Sequence, residues 1–307
     1  MKKIFKKYTS IENHYREKFI QKIFNDFPGL DEVMWVAQEK IDGSNFSIIT
    51  QGSTDEYICG KRSSILQPEE SFFNWQKVVK KYESHIARIR KFLEETYENK
   101  NVSIHIFGEL YGSGIQNRIN YGPDKYIKIY DLKVNGDFVP PKMLQFIAKN
   151  TNTEDFIVPF IHIGKLKDLL ELDISDDIEG WVLKPFEAIY VDQHNSPVYI
   201  KRKTEAFSEK MKTKVSKKVE LENAVIQAQE AFASLLNENR VLSYFSKEGV
   251  INEPQQLGGY IKNITRDAWI DMEKDYEDLI KDLSESQIGK VKKIGGKYLV
   301  PILNKHL

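Results

Sequence analysis

The hydrophobic period of this chain changes once, near residue 215, and that change does most to limit what it can fold into. Before it, short β-type runs alternate with a few helices, over Trp35 to Thr50, Val102 to Leu110, Tyr126 to Val134, Gly180 to Lys184 and Val198 to Lys203. Asn135-Gly136 lies between two of these runs. Both central residues of a type I′ turn need positive φ, so this pair signals a hairpin and an at least partly antiparallel sheet. Val78, Val79, Tyr82, Ile86, Ile89 and Leu93 recur at helical spacing and predict one amphipathic helix of about five turns. Past the change, Leu221, Val225, Ala228, Phe232 and Leu235 step by four and three, as do Trp269, Met272, Tyr276, Leu279 and Leu283. The expected organisation is an α+β domain over 1–215 and a small all-helical domain over 216–307. The lysine-rich stretch at the join has little apolar surface to bury and suits a linker.

Composition narrows the chemistry. Cys59 is the only cysteine, which excludes an intrachain disulfide and a cysteine-based zinc site, and the six histidines lack metal-ligand spacing. Any metal is therefore expected on oxygen ligands. The N-terminal MKKIFKKYTSIENHY has no long apolar stretch of a signal peptide, and no run approaches the ~20 apolar residues that span a bilayer. A cytoplasmic protein without a membrane span is the expectation. Formal net charge is zero, so the whole chain gives no argument for a polyanionic partner. Locally, Lys201, Arg202, Lys203, Lys210, Lys212, Lys214, Lys217 and Lys218 face only Glu205 and Glu209. That basic run is an ordinary solvated linker unless something nearby binds phosphate.

Four short patterns carry the chemical signal. Lys40-Ile41-Asp42-Gly43 opens a β-rich segment, and Phe107-Gly108-Glu109 ends a strand whose Val102, Ile104 and Ile106 share a face. Glu179-Gly180-Trp181-Val182-Leu183-Lys184 again sets an acid at a strand boundary. In Val198-Tyr199-Ile200-Lys201-Arg202-Lys203, period two puts Lys201 and Lys203 on one side. Like charges projecting together are disfavoured without an anion between them, and phosphate is the obvious one. Singly, each pattern is a surface lysine or an edge carboxylate. In this order they resemble the nucleotidyl-transferase motifs of the covalent ligase and mRNA-capping superfamily.

The resemblance narrows to the RNA ligase 2 family, the phage nick-sealing and kinetoplastid editing ligases. It rests on Phe5-Lys6-Lys7-Tyr8, Glu12-Asn13-His14-Tyr15, Glu39-Lys40, Gly43-Ser44-Asn45-Phe46-Ser47, Lys61-Arg62, Phe72-Phe73, Gly114-Ile115-Gln116 and Phe207-Ser208-Glu209-Lys210. It implies a nucleotidyltransferase (adenylylation) domain with largely antiparallel sheets. DNA ligases and capping enzymes typically add an oligonucleotide-binding barrel after the last lysine motif, and this tail lacks that strand pattern. An ATP-dependent DNA ligase, a capping-type nucleotidyltransferase and a non-catalytic nucleic-acid-binding scaffold stay open as alternatives.

The resemblance also assigns roles. Lys40 becomes the nucleophile that takes AMP from ATP, passes it to a 5′-phosphate and leaves a 3′-hydroxyl to close the strand. A lysine at its ordinary pKa of ~10.4 is protonated, so it needs desolvation or neighbouring cations, for which Lys201, Lys203 and a metal are candidates. By likeness, Glu109 holds the ribose, Tyr130 stacks on adenine, and Glu39 and Ile41 flank the nucleophile in the nucleotide site. Lys201 and Lys203 align the phosphates, and Glu179 organises Mg2+, usually through water. Asn45 and Arg62 match positions that contact the nicked strand or the reacting phosphate. Arg240 is the one residue of the tail carried over as nucleic-acid-binding, with a solvent-facing helix arginine as the plain alternative. The implied partner is nicked duplex RNA or an RNA-containing hybrid. Two departures stand out: Gln38 replaces a basic residue of the phage relative, and the stretch from Asp131 to Glu179 is shorter.

Overall fold

Two five-stranded sheets, each with helices over one face, make up the first part of the chain. The computed structural model describes residues 5–50, 56–116, 118–190, 197–208 and 221–307. It divides into two compact units, Met1–Ala206 and Phe207–Leu307. The boundary expected near residue 215 lies outside the described residues.

In chain order the first unit runs through β1 (Glu12–Asn13), α1 (Glu17–Asp26), β2 (Met34–Glu39), β3 (Ser44–Thr50) and β4 (Tyr57–Lys61). Then come α2 (Trp75–Lys80), α3 (Glu83–Thr96), β5 (Ile104–Gly112), β6 (Lys125–Val134) and β7 (Asp137–Phe138). It ends with α4 (Pro141–Thr151), β8 (Phe160–Lys165), α5 (Leu166–Glu171), β9 (Gly180–Pro185) and β10 (Ile200–Lys203). One sheet has the order β1-β10-β9-β2-β8 and the other β4-β3-β5-β6-β7. Every pairing of these strands is antiparallel except β1 with β10. Asn135 (φ 53°) and Gly136 (φ 98°) join β6 to β7 as the expected hairpin.

Alternation decides which side of each sheet is wet. In the first sheet Trp35, Ala37, Trp181, Leu183 and Ile200 pack with Ile23 of α1 and Leu166 and Leu169 of α5. In the second, Phe46, Ile48, Ile104, Ile106, Ile127 and Ile129 pack with residues of α2, α3 and α4. Each such side chain contributes roughly 1.5–3 kcal/mol on full burial, so the outer faces carry most of the stability. The intervening positions belong to the inner faces, where Tyr8, Phe107, Phe138 and Tyr199 form a small shared cluster with Tyr130 and Val182.

The single helix expected over Val78–Leu93 is two. The N–H groups of Lys81 and Tyr82 bond back to the Val78 and Val79 carbonyls, a tightened turn that closes α2. Tyr82 then leaves the helical region (φ −111°, ψ 6°), and its ring stacks on Phe156 with centroids 4.5 Å apart. The ring joins the core beside α3, so the apolar period continues across a break in the backbone.

The second unit is helical throughout among its described residues: α6 (Leu221–Ser234), α7 (Glu238–Glu248), α8 (Leu257–Asp275), α9 (Glu277–Ile280), α10 (Glu285–Lys292) and α11 (Ile294–Leu303). Phe232, Val241, Phe245, Trp269, Met272 and Leu299 are in its core. Asn237 caps α7, and Ser284 with Gln287 closes a capping box on α10. No helix among the described residues is long and apolar enough to cross a membrane.

Gly180 shows why the third motif needs its glycine. Its φ is +146°, and a Cβ there would lie 2.1 Å from the Arg202 carbonyl oxygen on the neighbouring strand. Gly180→Ala is expected to destabilise the first unit by roughly 2–3 kcal/mol, from overpacking and backbone strain together. A urea denaturation midpoint equal to that of the parent protein would contradict this account.

Candidate active site

The inner faces bring three of the four motifs into contact. On β2, Val36 and Gln38 point inward, and Lys40 follows the same parity just past the strand end. The Lys40 N–H bonds the Gly180 carbonyl at 2.8 Å, which pins the nucleophile candidate beside the start of β9. Lys40 Nζ lies 2.8 Å from Glu179 Oε2, and Lys203 Nζ lies 2.9 Å from Glu179 Oε1. One buried carboxylate therefore joins lysines from the first and fourth motifs. Burial alone would push the Glu179 carboxyl up, but Lys203 first, then Lys40 and Arg118, outweigh it and hold it at about 2. Lys201 sits two residues earlier on β10, opposite Val182, on the same side of the strand as Lys203. The anion expected at these lysines is, for Lys203, supplied by the chain itself.

The facing sheet supplies the other groups. Two residues after Gly43, Asn45 on β3 pairs with Glu109 on β5. A Cβ at Gly43 would sit 2.6 Å from the Leu110 carbonyl oxygen and 2.9 Å from Glu109 Cγ, so only glycine lets the lysine motif lie this close to Glu109. Burial pushes the Glu109 carboxyl up to about 8. Lys40 pulls against that shift, and the charges of Glu179 and Asp42 add to it. Arg62 acts on Glu109 and Tyr130 through its charge, and its guanidinium donates to the Thr9 carbonyl at 3.5 Å.

Tyr130 owes its position to a β-bulge. Phe107 pairs with Asp131 and Gly108 with Ile129, leaving Tyr130 as the extra residue of β6. Tyr130 and Asp131 consequently both belong to the inner side. The Asn45 side-chain amide donates to the Tyr130 hydroxyl. The apolar parity of β6 marks this bulge in the sequence, since Ile127 and Ile129 are odd-numbered while Leu132 and Val134 are even.

Several neighbours escaped the sequence reading. Asp131 is buried with Lys184, 2.9 Å away, and also accepts from the hydroxyls of Tyr8 and Tyr199. Lys184 closes the third motif, and period two already sets it on the inner side with Val182. Asp42 of the first motif is gripped by Arg118, whose Nε is 3.1 Å from Oδ2 and whose Nη2 reaches Oδ1. The Tyr121 hydroxyl accepts from the Asp42 N–H at 3.0 Å and reaches Glu39 at 3.4 Å. No pattern foretells Arg118 or Tyr121, because both sit on the irregular connection between β5 and β6.

The remaining expected residues divide. Glu39 is half-buried beside Tyr121, and burial raises its carboxyl above the ordinary range. Ile41 is buried between Lys40 and Asp42. Gln38 is 2% exposed and donates to the Val158 carbonyl at 2.7 Å, so a neutral backbone tether occupies the place of the relative's basic residue. Among the described residues no three His, Cys, Asp or Glu side chains cluster to hold a metal ion, and both oxygens of Glu179 meet lysine. Arg240 corrects its expectation. It is neither solvent-facing nor presented to a strand, but 1% exposed, donating to the Leu235 carbonyl and paired with Asp267 and Asp271 at 2.8 and 2.6 Å. A guanidinium committed in this way braces α7 against α8.

Two helix-backed sheets with lysines and carboxylates gathered on their inner faces make an α+β fold with its charged groups enclosed between the sheets. Residues 33–203 match the family described as RNA ligase, and residues 216–294 match the one described as T4 RNA ligase 2 C-terminal. The chain belongs to the RNA ligase family. Over 109 residues it is 34% identical to RNA-editing ligase 2, mitochondrial, of Trypanosoma brucei brucei, covering 36% of this chain and 26% of that protein. RNA-editing ligase 1, mitochondrial, of the same organism is 34% identical over 88 residues, 28% of this chain and 19% of that one. The match thus spans about a quarter or less of these relatives' lengths. Among solved structures, Naegleria gruberi RNA ligase with PPi aligns at a TM-score of 0.43 and 19% identity, over 66% of this chain and 57% of that one. A variant of that ligase solved with ATP and Mn aligns at 0.44 and 18%, over 65% and 56%.

The Glu109 shift has a measurable consequence. An ordinary glutamate titrates near 4.5 and this one near 8, so between those values the folded protein holds an extra proton and loses stability as pH rises. Glu109→Gln removes that titration. The variant is expected to gain on the parent between about pH 5 and pH 8, by on the order of 2 kcal/mol given the partial exposure of the group. Thermal unfolding at both pH values, with a constant gap between the two proteins, would refute the shift.

Proposed function

We propose that this protein is an ATP-dependent RNA ligase that becomes adenylylated on Lys40 and seals 3′-hydroxyl to 5′-phosphate ends. The observation that carries this reading is the chain of contacts from Lys40 through Glu179 to Lys203, with Glu109, Asn45 and Tyr130 on the facing sheet. In the first step Lys40 Nζ attacks the α-phosphorus of ATP. An N–P bond forms, the bond to the pyrophosphate oxygen breaks, and the amine's proton passes to solvent water or to the departing pyrophosphate. Glu179, held at about 2, is too weak a base to take that proton. It serves instead as the anion that gathers Lys40 and Lys203 until the α-phosphate takes its place. Charge accumulates on the non-bridging oxygens during transfer, and Lys203, with Lys201 on the same side of β10, would meet it.

Glu109, neutral at pH 7 and so able both to donate and to accept, suits a ribose hydroxyl, and Tyr130 suits the base. Asn45 and Arg62 stand beside them, where the reacting 5′-phosphate and the nicked strand are expected. The donor set fits a Mg2+ ion that arrives on the triphosphate, which keeps most of its waters, rather than one caged by the protein. Such an ion would neutralise charge on the phosphates, and Glu179 is the carboxylate that would hold it, through water. We further propose that the natural substrate is a nick in duplex RNA or an RNA-containing hybrid, held by the helical unit.

Two measurements test this. Incubation with magnesium and ATP labelled on the α-phosphate should give a covalent AMP adduct on denaturing gels and by intact mass, lost in Lys40→Ala. A GMP adduct from GTP would point to capping chemistry. No adduct, with Lys40 shown by mass to be unmodified at the start, would favour a scaffold that binds RNA without reacting. Deleting the residues after about 215 should spare the adduct and abolish sealing of nicked RNA duplexes, and a truncated protein that seals as well as the full chain would overturn the helical unit's role.

A further inference from the structure

One set of contacts at the site touches none of the reacting atoms in the chemistry above. The connection between β5 and β6 reaches back to the lysine motif and bonds it at positions on both sides of Lys40. Arg118 grips the Asp42 carboxylate with two nitrogens, and that carboxylate is almost wholly enclosed. Tyr121 accepts from the Asp42 N–H and reaches the Glu39 carboxylate. Tyr121 is itself held, edge-on to the Tyr111 ring with centroids 4.9 Å apart. Lys40 is thus flanked by two residues tied to the same connection, and its own N–H is tied to Gly180.

We infer that Arg118 and Tyr121 are positioning residues for Lys40: they clasp Glu39 and Asp42, and so fix the backbone from which the nucleophile is aimed. The inference rests on the proposed function. Asp42 is the anchor because an enclosed carboxylate needs a partner, and a planar guanidinium meets both oxygens at once and so sets direction as well as distance. In-line attack on phosphorus tolerates little error, and a displacement of about 1 Å costs roughly 100-fold in rate. Closing the strand from an end that already carries AMP needs no attack by Lys40. The clasp therefore separates the first step from the last.

The test uses the full-length protein with Arg118→Ala, Arg118→Lys and Tyr121→Phe. At saturating ATP, Arg118→Ala is expected to form the Lys40 adduct about 100-fold more slowly, while sealing a pre-adenylylated RNA nick at close to the parent rate. Arg118→Lys restores part of the loss, because one ammonium cannot fork two oxygens. Tyr121→Phe should leave the Asp42 amide open to hydrogen exchange, and Arg118→Ala should speed exchange at Lys40 and Asp42. Adduct formation at the parent rate in Arg118→Ala, or equal losses in both reactions, would overturn the inference. Should the parent itself form no adduct, the proposed function falls and exchange alone decides: faster exchange at Lys40 and Asp42 upholds the clasp, and unchanged exchange ends it.

Discussion

The ion pair between Lys184 and Asp131 is the contact on which the geometry of the first unit turns. Each sheet is covered on its outer face by helices, but the inner faces are too polar to be held together by apolar burial alone. Lys184 rises from β9 and Asp131 from β6, both 1% exposed at the side chain, and the Lys184 ammonium also donates to the Tyr130 carbonyl at 2.6 Å. Such a pair is worth little net energy against a well-packed apolar pair, yet removing one partner typically costs about 3–5 kcal/mol. It acts as a register pin, because strand slippage on either side would strand a charge in the interior. Tyr8 and Tyr199 complete the pin by donating to the same carboxylate.

Around this pin the site is a balance of opposite charges enclosed between two sheets. Glu179 is ionised because two lysines face it, while Glu109 stays protonated because burial and two neighbouring carboxylates outweigh the one lysine nearby. Two glutamates in one cleft are thus shifted in opposite directions from the ordinary carboxylate range, and the difference is made by the charges each one faces. Burial raises the Asp42 carboxyl above its ordinary range, and Arg118 offsets only part of that shift. Removing Lys40 or Lys203 would shift protons elsewhere in the cleft, so substitutions at these lysines are coupled rather than additive.

Much of this was legible in the sequence, and for identifiable reasons. Alternation placed Lys201 with Lys203 and set Glu109 opposite Ile104 and Ile106, because side-chain direction in a strand is a matter of parity. Asn135-Gly136 announced its hairpin because few other residues accept positive φ at two positions running. The shared cleft itself was not legible from spacing, since Lys40 and Glu179 lie 139 residues apart and meet only through strand order. Arg118 and Tyr121 were invisible because an irregular connection has no period to read. Arg240 entered by likeness as a nucleic-acid contact with a solvated helix arginine as its alternative, and only tertiary structure shows it buried and paired with Asp267 and Asp271, one turn apart on α8.

The Glu179 bridge changes what nucleotide affinity would measure. A cleft of bare cations would attract any anion and release loosely held salt ions on filling. Here Lys40 and Lys203 already have an internal counter-ion, so under the proposed function an incoming phosphate would have to displace a carboxylate that cannot diffuse away. Binding becomes an exchange between a tethered anion and a free one, and the observed affinity is the difference between two strong attractions. Under that reading the arrangement would sacrifice tightness for selectivity, since a ligand would have to satisfy both lysines together to outcompete the glutamate that already does so.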